Sequence, residues 1–155
     1  MTQLHLCTPD DLPRLMPLVA AFHAEYGLDL DDAHREAALM PLLEGSPHGA
    51  AWLIGPARAP VGYVVACFGW AIELGGLDGF VDELYIRPAV RGRGLASEAL
   101  GALGTQLAGH GLKAFHLEVD RDDVKAQGFY KRLGYELRDR YALMSRYFRA
   151  PPRDR

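Results

Sequence analysis

The stretch from Phe80 to Leu107 limits the possible folds more than any other part of this chain. An apolar run, 80–86, passes through Arg87-Pro88-Ala89-Val90-Arg91-Gly92-Arg93-Gly94 into Leu95, Ala99, Leu103 and Leu107, which recur at helical spacing. A further apolar run, 114–119, follows the stop at Gly109–Gly111. Strand, helix and strand in that order require a crossover, and hence a parallel pair. Upstream, the runs 50–54, 61–72 and 80–86 are separated only by turn-forming residues at 55–60 and 75–79, the pattern of an antiparallel meander. The sheet is therefore expected to be mixed.

The remaining elements fit around that frame. Residues 4–7 alternate as a first strand. Thr8-Pro9-Asp10-Asp11 reads as a helix start with a capping threonine, an early proline and acids in the first turn. Leu12, Leu15, Val19, Phe22 and Tyr26 form its expected apolar face, and Pro17 is expected to kink or interrupt it. A second helix is expected over 29–43, with Ala33, Ala37, Met40 and Leu43 inward. Asp122 or Asp123 caps a helix bearing Ala126, Phe129, Tyr130 and Leu133, stopped at Gly134. Residues 135–138 and 142–148 read as two last strands. The expectation is one mixed α/β domain over 1–148, with about seven strands and about four helices. Residues 149–155 are polar and proline-rich and read as a loose tail.

Composition removes several classes of function. A chain of 155 residues with 49% hydrophobic and 24% charged residues can bury one sizeable core. A net charge of -3 argues against general nucleic-acid binding, which needs a basic surface, and suits a cationic substrate. No apolar run approaches the roughly 18 residues of a membrane span, and no secretory signal is evident, so the expected location is the cytoplasm. Cys7 and Cys67 each sit in apolar runs and read as reduced thiols. No CxxC occurs and the six histidines are scattered, so no metal site is expected.

The glycine loop carries the chemistry. Gly92 and Gly94 can expose successive backbone N–H groups, Arg91 and Arg93 add positive charge, and a helix begins at Leu95. Together these suit a diphosphate. A nucleoside-triphosphate loop would need Gly-Lys-Ser/Thr, which is absent. A dinucleotide fold would need a third glycine at Ser97 and glycines directly after the strand, although Glu118 or Asp120 would serve as its ribose acid. A plain connection solubilised by arginines is the remaining alternative.

Downstream residues discriminate between these readings. Arg91-Gly92-Arg93-Gly94-Leu95-Ala96 is similar to the Gln/Arg-x-x-Gly-x-Gly/Ala pyrophosphate motif of the GNAT superfamily of acyl-CoA-dependent N-acetyltransferases. Asp82-Glu83-Leu84-Tyr85-Ile86-Arg87-Pro88 resembles that family's central strand. Ala126 to Tyr135 resembles its A-x-x-F-Y-x-x-x-G-F/Y motif. The resemblance implies acetyl-CoA or another acyl-CoA as cofactor, with its pyrophosphate on the amides of Arg91 to Ser97. The pantetheine arm would lie along Leu84, Tyr85 and Ile86, between parallel strands splayed to admit it. Where members often carry a cofactor-holding Asn, this chain has Asp123, which cannot donate while ionised. Homodimers are common in the family, and one is expected here.

Transfer to an amine poses two proton problems. An alkyl ammonium, with a pKa near ~10, must lose a proton, and the leaving thiolate needs a donor. Asp82 or Glu83 would act as base; alternation puts them on opposite faces, with Phe80, Asp82, Leu84 and Ile86 on one and Val81, Glu83 and Tyr85 on the other. The alternative is that both carboxylates only shape the field or bind a cationic substrate. Tyr130 is the expected acid, with Phe129 packing. The resemblance also implies an acceptor site bordered by the first two helices, making His23 and Tyr26 candidates to contact a small amine, with Trp70 and Glu73 as further ones. Glu83, Asp82 and Phe129-Tyr130-Lys131-Arg132 resemble polyamine-type members more than ribosomal ones. A non-catalytic acyl-CoA-binding module and a peptide N-acetyltransferase are the alternatives.

Overall fold

A computed structural model describes residues 2–152; residue 1 and the last three residues of the expected tail, 153–155, lie outside the described residues. Strands β1 (Leu4–Leu6), β2 (Gly49–Ile54), β3 (Gly62–Ala71), β4 (Gly76–Ile86) and β5 (Ala114–His116) form one sheet in the order β1-β2-β3-β4-β5. The first four are antiparallel neighbours, and β5 joins β4 in parallel. Helices α1 (Leu12–Glu25) and α2 (Asp32–Leu43) precede the meander, α3 (Leu95–Gly109) makes the crossover, and α4 (Val124–Arg132) follows β5. The fold is thus the expected mixed α/β sheet.

Side chains alternate across the sheet. Ala51, Leu53, Tyr63, Val65 and Tyr85 pack against Leu15, Leu18 and Val19 of α1 and Leu39 and Leu43 of α2. Trp52, Ile54, Val64, Ala66 and Ile86 pack against Ala99, Leu103 and Leu107 of α3. Each fully buried leucine in these layers contributes roughly 2 kcal/mol by leaving water.

The start of α1 is tied down by Asp11, which is 2% exposed. Its carboxylate accepts from the Thr8 amide at 2.8 Å, hydrogen-bonds His5 Nε2 at 3.0 Å and pairs with Arg14. Burial pushes this carboxyl up, but the Thr8 amide, Arg14 and His5 pull harder, leaving it below the usual range.

Several expectations need correcting. Pro17 does not interrupt α1. Pro13 and Pro17 both lie on its exposed side, so the carbonyl that Pro17 leaves unbonded is open to water. Tyr26 is exposed at the end of α1, and Leu18 and His23 take inward positions. In α2, Leu39 and Leu43 are buried, whereas Ala33 and Ala37 are exposed; the larger side chains take the core-facing stripe.

The β3–β4 turn ends at Gly75, which has φ 78°, and β4 begins at Gly76 rather than Phe80. Space at Gly79 is tight: a Cβ there would stand 3.3 Å from a Leu112 methyl, which would have to shift by a few tenths of an ångström. β5 ends at His116 instead of residue 119. Residues 135–138 and 142–148 form no strands, so the sheet has five strands among the described residues, not seven. A strand is completed only by a hydrogen-bonded neighbour, and alternation alone supplies none.

Candidate active site

The sheet opens where its chemistry lies. β4 pairs with β5 only through Asp78, Gly79 and Phe80. From Val81 to Ile86 it pairs with β3 alone, and its other edge separates from β5. That free edge runs to the loop before α3.

β4 also carries a bulge. Val65 of β3 faces Glu83, and the next residue, Ala66, faces Val81, so Asp82 is the extra residue. The bulge corrects the expected faces: Val81 joins Leu84 and Ile86 on the α3 side. Glu83 turns toward α1. Asp82 is exposed on the bulge.

Glu83, with its side chain 17% exposed, sits in a chain of polar contacts. Oε1 accepts from the Tyr63 hydroxyl at 2.9 Å, and Oε2 hydrogen-bonds His23 Nε2 at 2.8 Å. Arg35 of α2 donates from Nε to His23 Nδ1 at 3.1 Å and from Nη1 to Asp32 at 2.8 Å. Burial, then the Glu83 charge, pushes the Tyr63 hydroxyl far above the tyrosine range, which keeps it a donor.

Cys67 is also pushed up, by burial and then by Asp82 and Glu83, and burial raises Cys7 to about 12. Both are free thiols, as read from the sequence, and neither is a thiolate nucleophile at neutral pH.

A cavity of about 460 Å³ joins the loop to the free edge of β4. Gly92 and Gly94 adopt φ 78° and 80°, and a Cβ at either would meet no protein atom within 4 Å. The backbone there lies open to close approach. Gly94 is the N-cap of α3 and has no side-chain cap, so the first-turn amides of Leu95, Ala96 and Ser97, residues that line the cavity, have no helical partner and carry the helix dipole. This donor set fits a diphosphate.

Arg91 lines the same cavity, but its guanidinium is engaged. It forks onto Glu25 at 2.9 and 2.7 Å, donates from Nε to the Ile86 carbonyl at 2.8 Å and lies 5.5 Å from the Tyr85 ring centre.

Tyr130 and Phe129 line the far side, their rings edge-on at 5.0 Å. Burial, then Tyr26 and Asp123, pushes the Tyr130 hydroxyl up, so it is a protonated donor at neutral pH.

The structure therefore gathers Leu84, Tyr85, Ile86, Arg91, Gly92, Gly94, Leu95, Ala96, Ser97, Tyr26 and Tyr130 around one cavity, and joins His23 to Glu83. Arg93 is exposed and does not line the cavity. Asp123 caps α4 by accepting from the Ala126 amide at 2.9 Å. Glu73 borders a separate cavity of about 1130 Å³ between β5, α4 and the segment after it, which Tyr130 also touches. Trp70, 70% exposed near the β3–β4 turn, lines neither.

Sequence reasoning missed Phe22, Glu25, Val90 and Lys125 in the cavity wall, and Tyr63 and Arg35 in the polar chain. Phe22 lies four residues before Tyr26 and three before Glu25, so one helical face carries Phe22 with each of them, which is a usable signal. Arg35 and Tyr63 have none, because the fold alone brings α2 and β3 to His23 and Glu83. Among the described residues no helix is long and apolar enough to cross a membrane.

Comparison with known proteins supplies a context for this geometry. The family model described as "Acetyltransferase (GNAT) family" matches residues 15–135. An integron cassette protein from the mobile metagenome of Cole Harbour Salt Marsh is 33% identical over 96% of this chain and 92% of its own, with a TM-score of 0.81. AAC(6')-Iy, solved with the bisubstrate analogue CoA-S-monomethyl-acetylneamine, is 16% identical over 95% of this chain and 99% of its own, at 0.76. A ribosomal-protein-alanine N-acetyltransferase from Brucella melitensis biovar Abortus 2308 is 20% identical over 95% and 100%, at 0.73. At these lower identities the likeness is one of fold. No curated protein gives a significant match.

Proposed function

Because this chain belongs to the acetyltransferase (GNAT) family and so is an acyl-CoA-dependent acetyltransferase, we propose that it acetylates a primary amine of a small molecule from acetyl-CoA, by direct attack in a ternary complex. One observation carries the reading: a single cavity runs from the open amides before α3, along the free edge of β4, to Tyr130, and the same strand bears Glu83. Bound acetyl-CoA would supply the thioester acyl group and its thiol leaving group. The amides of Leu95 to Ser97 would hold the diphosphate, and the unpaired β4 edge would hold the amide-bearing arm as an added strand.

Glu83 keeps acceptor capacity beyond its bonds to Tyr63 and His23. It would draw an ammonium into the cleft and take one proton, directly or through one water, to give the neutral amine; once the new C–N bond forms, the second nitrogen proton would leave to water in the cleft. Tyr130 would give its phenolic proton to the sulfur as the C–S bond breaks, and would recover one from solvent. With both thiols held protonated, no acyl-cysteine step is needed. Alignment of the amine and thioester would supply most of the rate, proton handling less.

The small-amine reading draws support from AAC(6')-Iy, whose complex carries an acetylated aminoglycoside fragment joined to CoA. The peptide alternative draws on the ribosomal-protein neighbour. The test is free-thiol release from acetyl-CoA with a panel of polyamines, aminoglycosides and N-terminal peptides. Release that depends on a small amine is expected. Release only with peptides would replace the acceptor, and CoA binding with no turnover on any amine would replace the enzyme by a binding module.

A further inference from the structure

We infer that Arg35 and His23 are positioning residues for Glu83: Arg35 fixes the imidazole tautomer, so that His23 donates to the carboxylate and does not carry its proton away. This rests on Glu83 being the proton acceptor, as proposed above. Arg35 Nε is always a donor, and it meets His23 Nδ1 at 3.1 Å. Nδ1 must therefore present its lone pair, which leaves the ring proton on Nε2, 2.8 Å from Glu83 Oε2.

To receive a proton from Glu83 at Nε2, the imidazole would have to be the other tautomer, protonated at Nδ1 with its lone pair on Nε2. Arg35 opposes that tautomer by pointing an N–H of its own at Nδ1. A proton taken by Glu83 must consequently leave through the cleft. The arrangement is also rigid. His23 is 9% exposed and Arg35 10% at the side chain, and Asp32 anchors the guanidinium at 2.8 Å. Tyr63 fixes the other oxygen from β3, so the carboxylate is held from two elements, α1 and β3, with α2 behind His23. Asp82 on the bulge, Cys67 on β3 and Tyr85 on β4 are further titratable neighbours.

The test uses the full chain labelled with 15N-histidine, the His23 ring signals being identified as those missing from His23→Gln. The resting protein is expected to show a neutral ring protonated at Nε2, and Arg35→Met a mixture of tautomers. An Nδ1-protonated ring or an imidazolium at neutral pH in the unmutated protein would overturn the inference. Kinetics give a second arm. Gln at position 23 offers an N–H toward Glu83 and a carbonyl toward Arg35, so His23→Gln is expected to keep its kcat within about threefold, while His23→Leu loses up to about a hundredfold through misplacement of the base. If Gln fails as badly as Leu in a folded protein, His23 carries the proton and the inference is wrong. If Glu83→Gln turns over like wild type, the proton-acceptor reading fails and the catalytic half of this inference fails with it; the ring tautomer is judged separately.

Discussion

The two side chains proposed to handle protons, Glu83 and Tyr130, are held by opposite means. Glu83 lies on a central strand, clasped by Tyr63 from β3 and His23 from α1, with Arg35 and Asp32 behind. Tyr130 lies on α4, a helix with no buried residue, where its described ring contacts are Phe129 and Tyr135. Glu83, which does not itself line the cavity, is fixed by directional bonds within a packed layer, whereas Tyr130, which does, is set by aromatic edges on a half-exposed helix. If the proposed roles hold, the difference implies that the proton acceptor is aimed before substrate arrives, while the proton donor can adjust. A positively charged amine must be bound and deprotonated at one point in space, whereas a phenol serving a sulfur tolerates looser placement.

The contrast breaks first at Glu83. Glu83→Gln keeps the shape but cannot accept the ammonium proton, and kcat should fall about 100- to 1000-fold with amine-dependent thiol release as the measure. Next comes the anchoring of the tightly held side. Asp11→Asn should lower stability by about 1–3 kcal/mol in urea denaturation, because it loses charge-assisted bonds at a buried site. The Asp11 carboxyl is held below its unfolded value, so the stabilisation is full above about pH 4 and is lost as pH falls through the folded value. The gap between the two proteins should accordingly close in acid.

Tyr130→Phe should reduce kcat only about tenfold and leave the melting temperature unchanged, in keeping with an adaptable donor. A loss as large as that of Glu83→Gln would erase the proposed difference between the two sides. The smallest effect belongs to the ion pair between α1 and the glycine loop. Glu25→Gln frees the half-exposed Arg91 from its ion pair, worth below about 1 kcal/mol, and should tighten CoA binding by no more than about fivefold by calorimetry.

The same contrast separates what could be read in the chain from what could not. The α3 stripe Ala99, Leu103 and Leu107, the glycine loop and the parallel crossover are local patterns, and each is present in the fold. The bulge at Asp82 left no mark: two adjacent acids look the same whether or not one is an extra residue, so the faces of Phe80 and Val81 were misread. The link from Arg35 to His23 joins two helices and from Tyr63 to Glu83 two strands; no spacing rule reaches across such pairs. Residues 135–148 misled in the other direction, since their alternation is a local preference without a partner to realise it.

Both proton groups matter only if the thioester is delivered between them, and that depends on the backbone at Gly94. The deciding measurement is a calorimetric titration of CoA into the wild-type protein and into Gly94→Val, with circular dichroism confirming that the variant folds. A valine at φ 80° is strained by about 1–2 kcal/mol and fills the open side of the loop, so affinity should drop about tenfold or more. Equal affinity in the two proteins would contradict the assignment of the diphosphate to this loop, and with it the line drawn from Gly94 to Glu83.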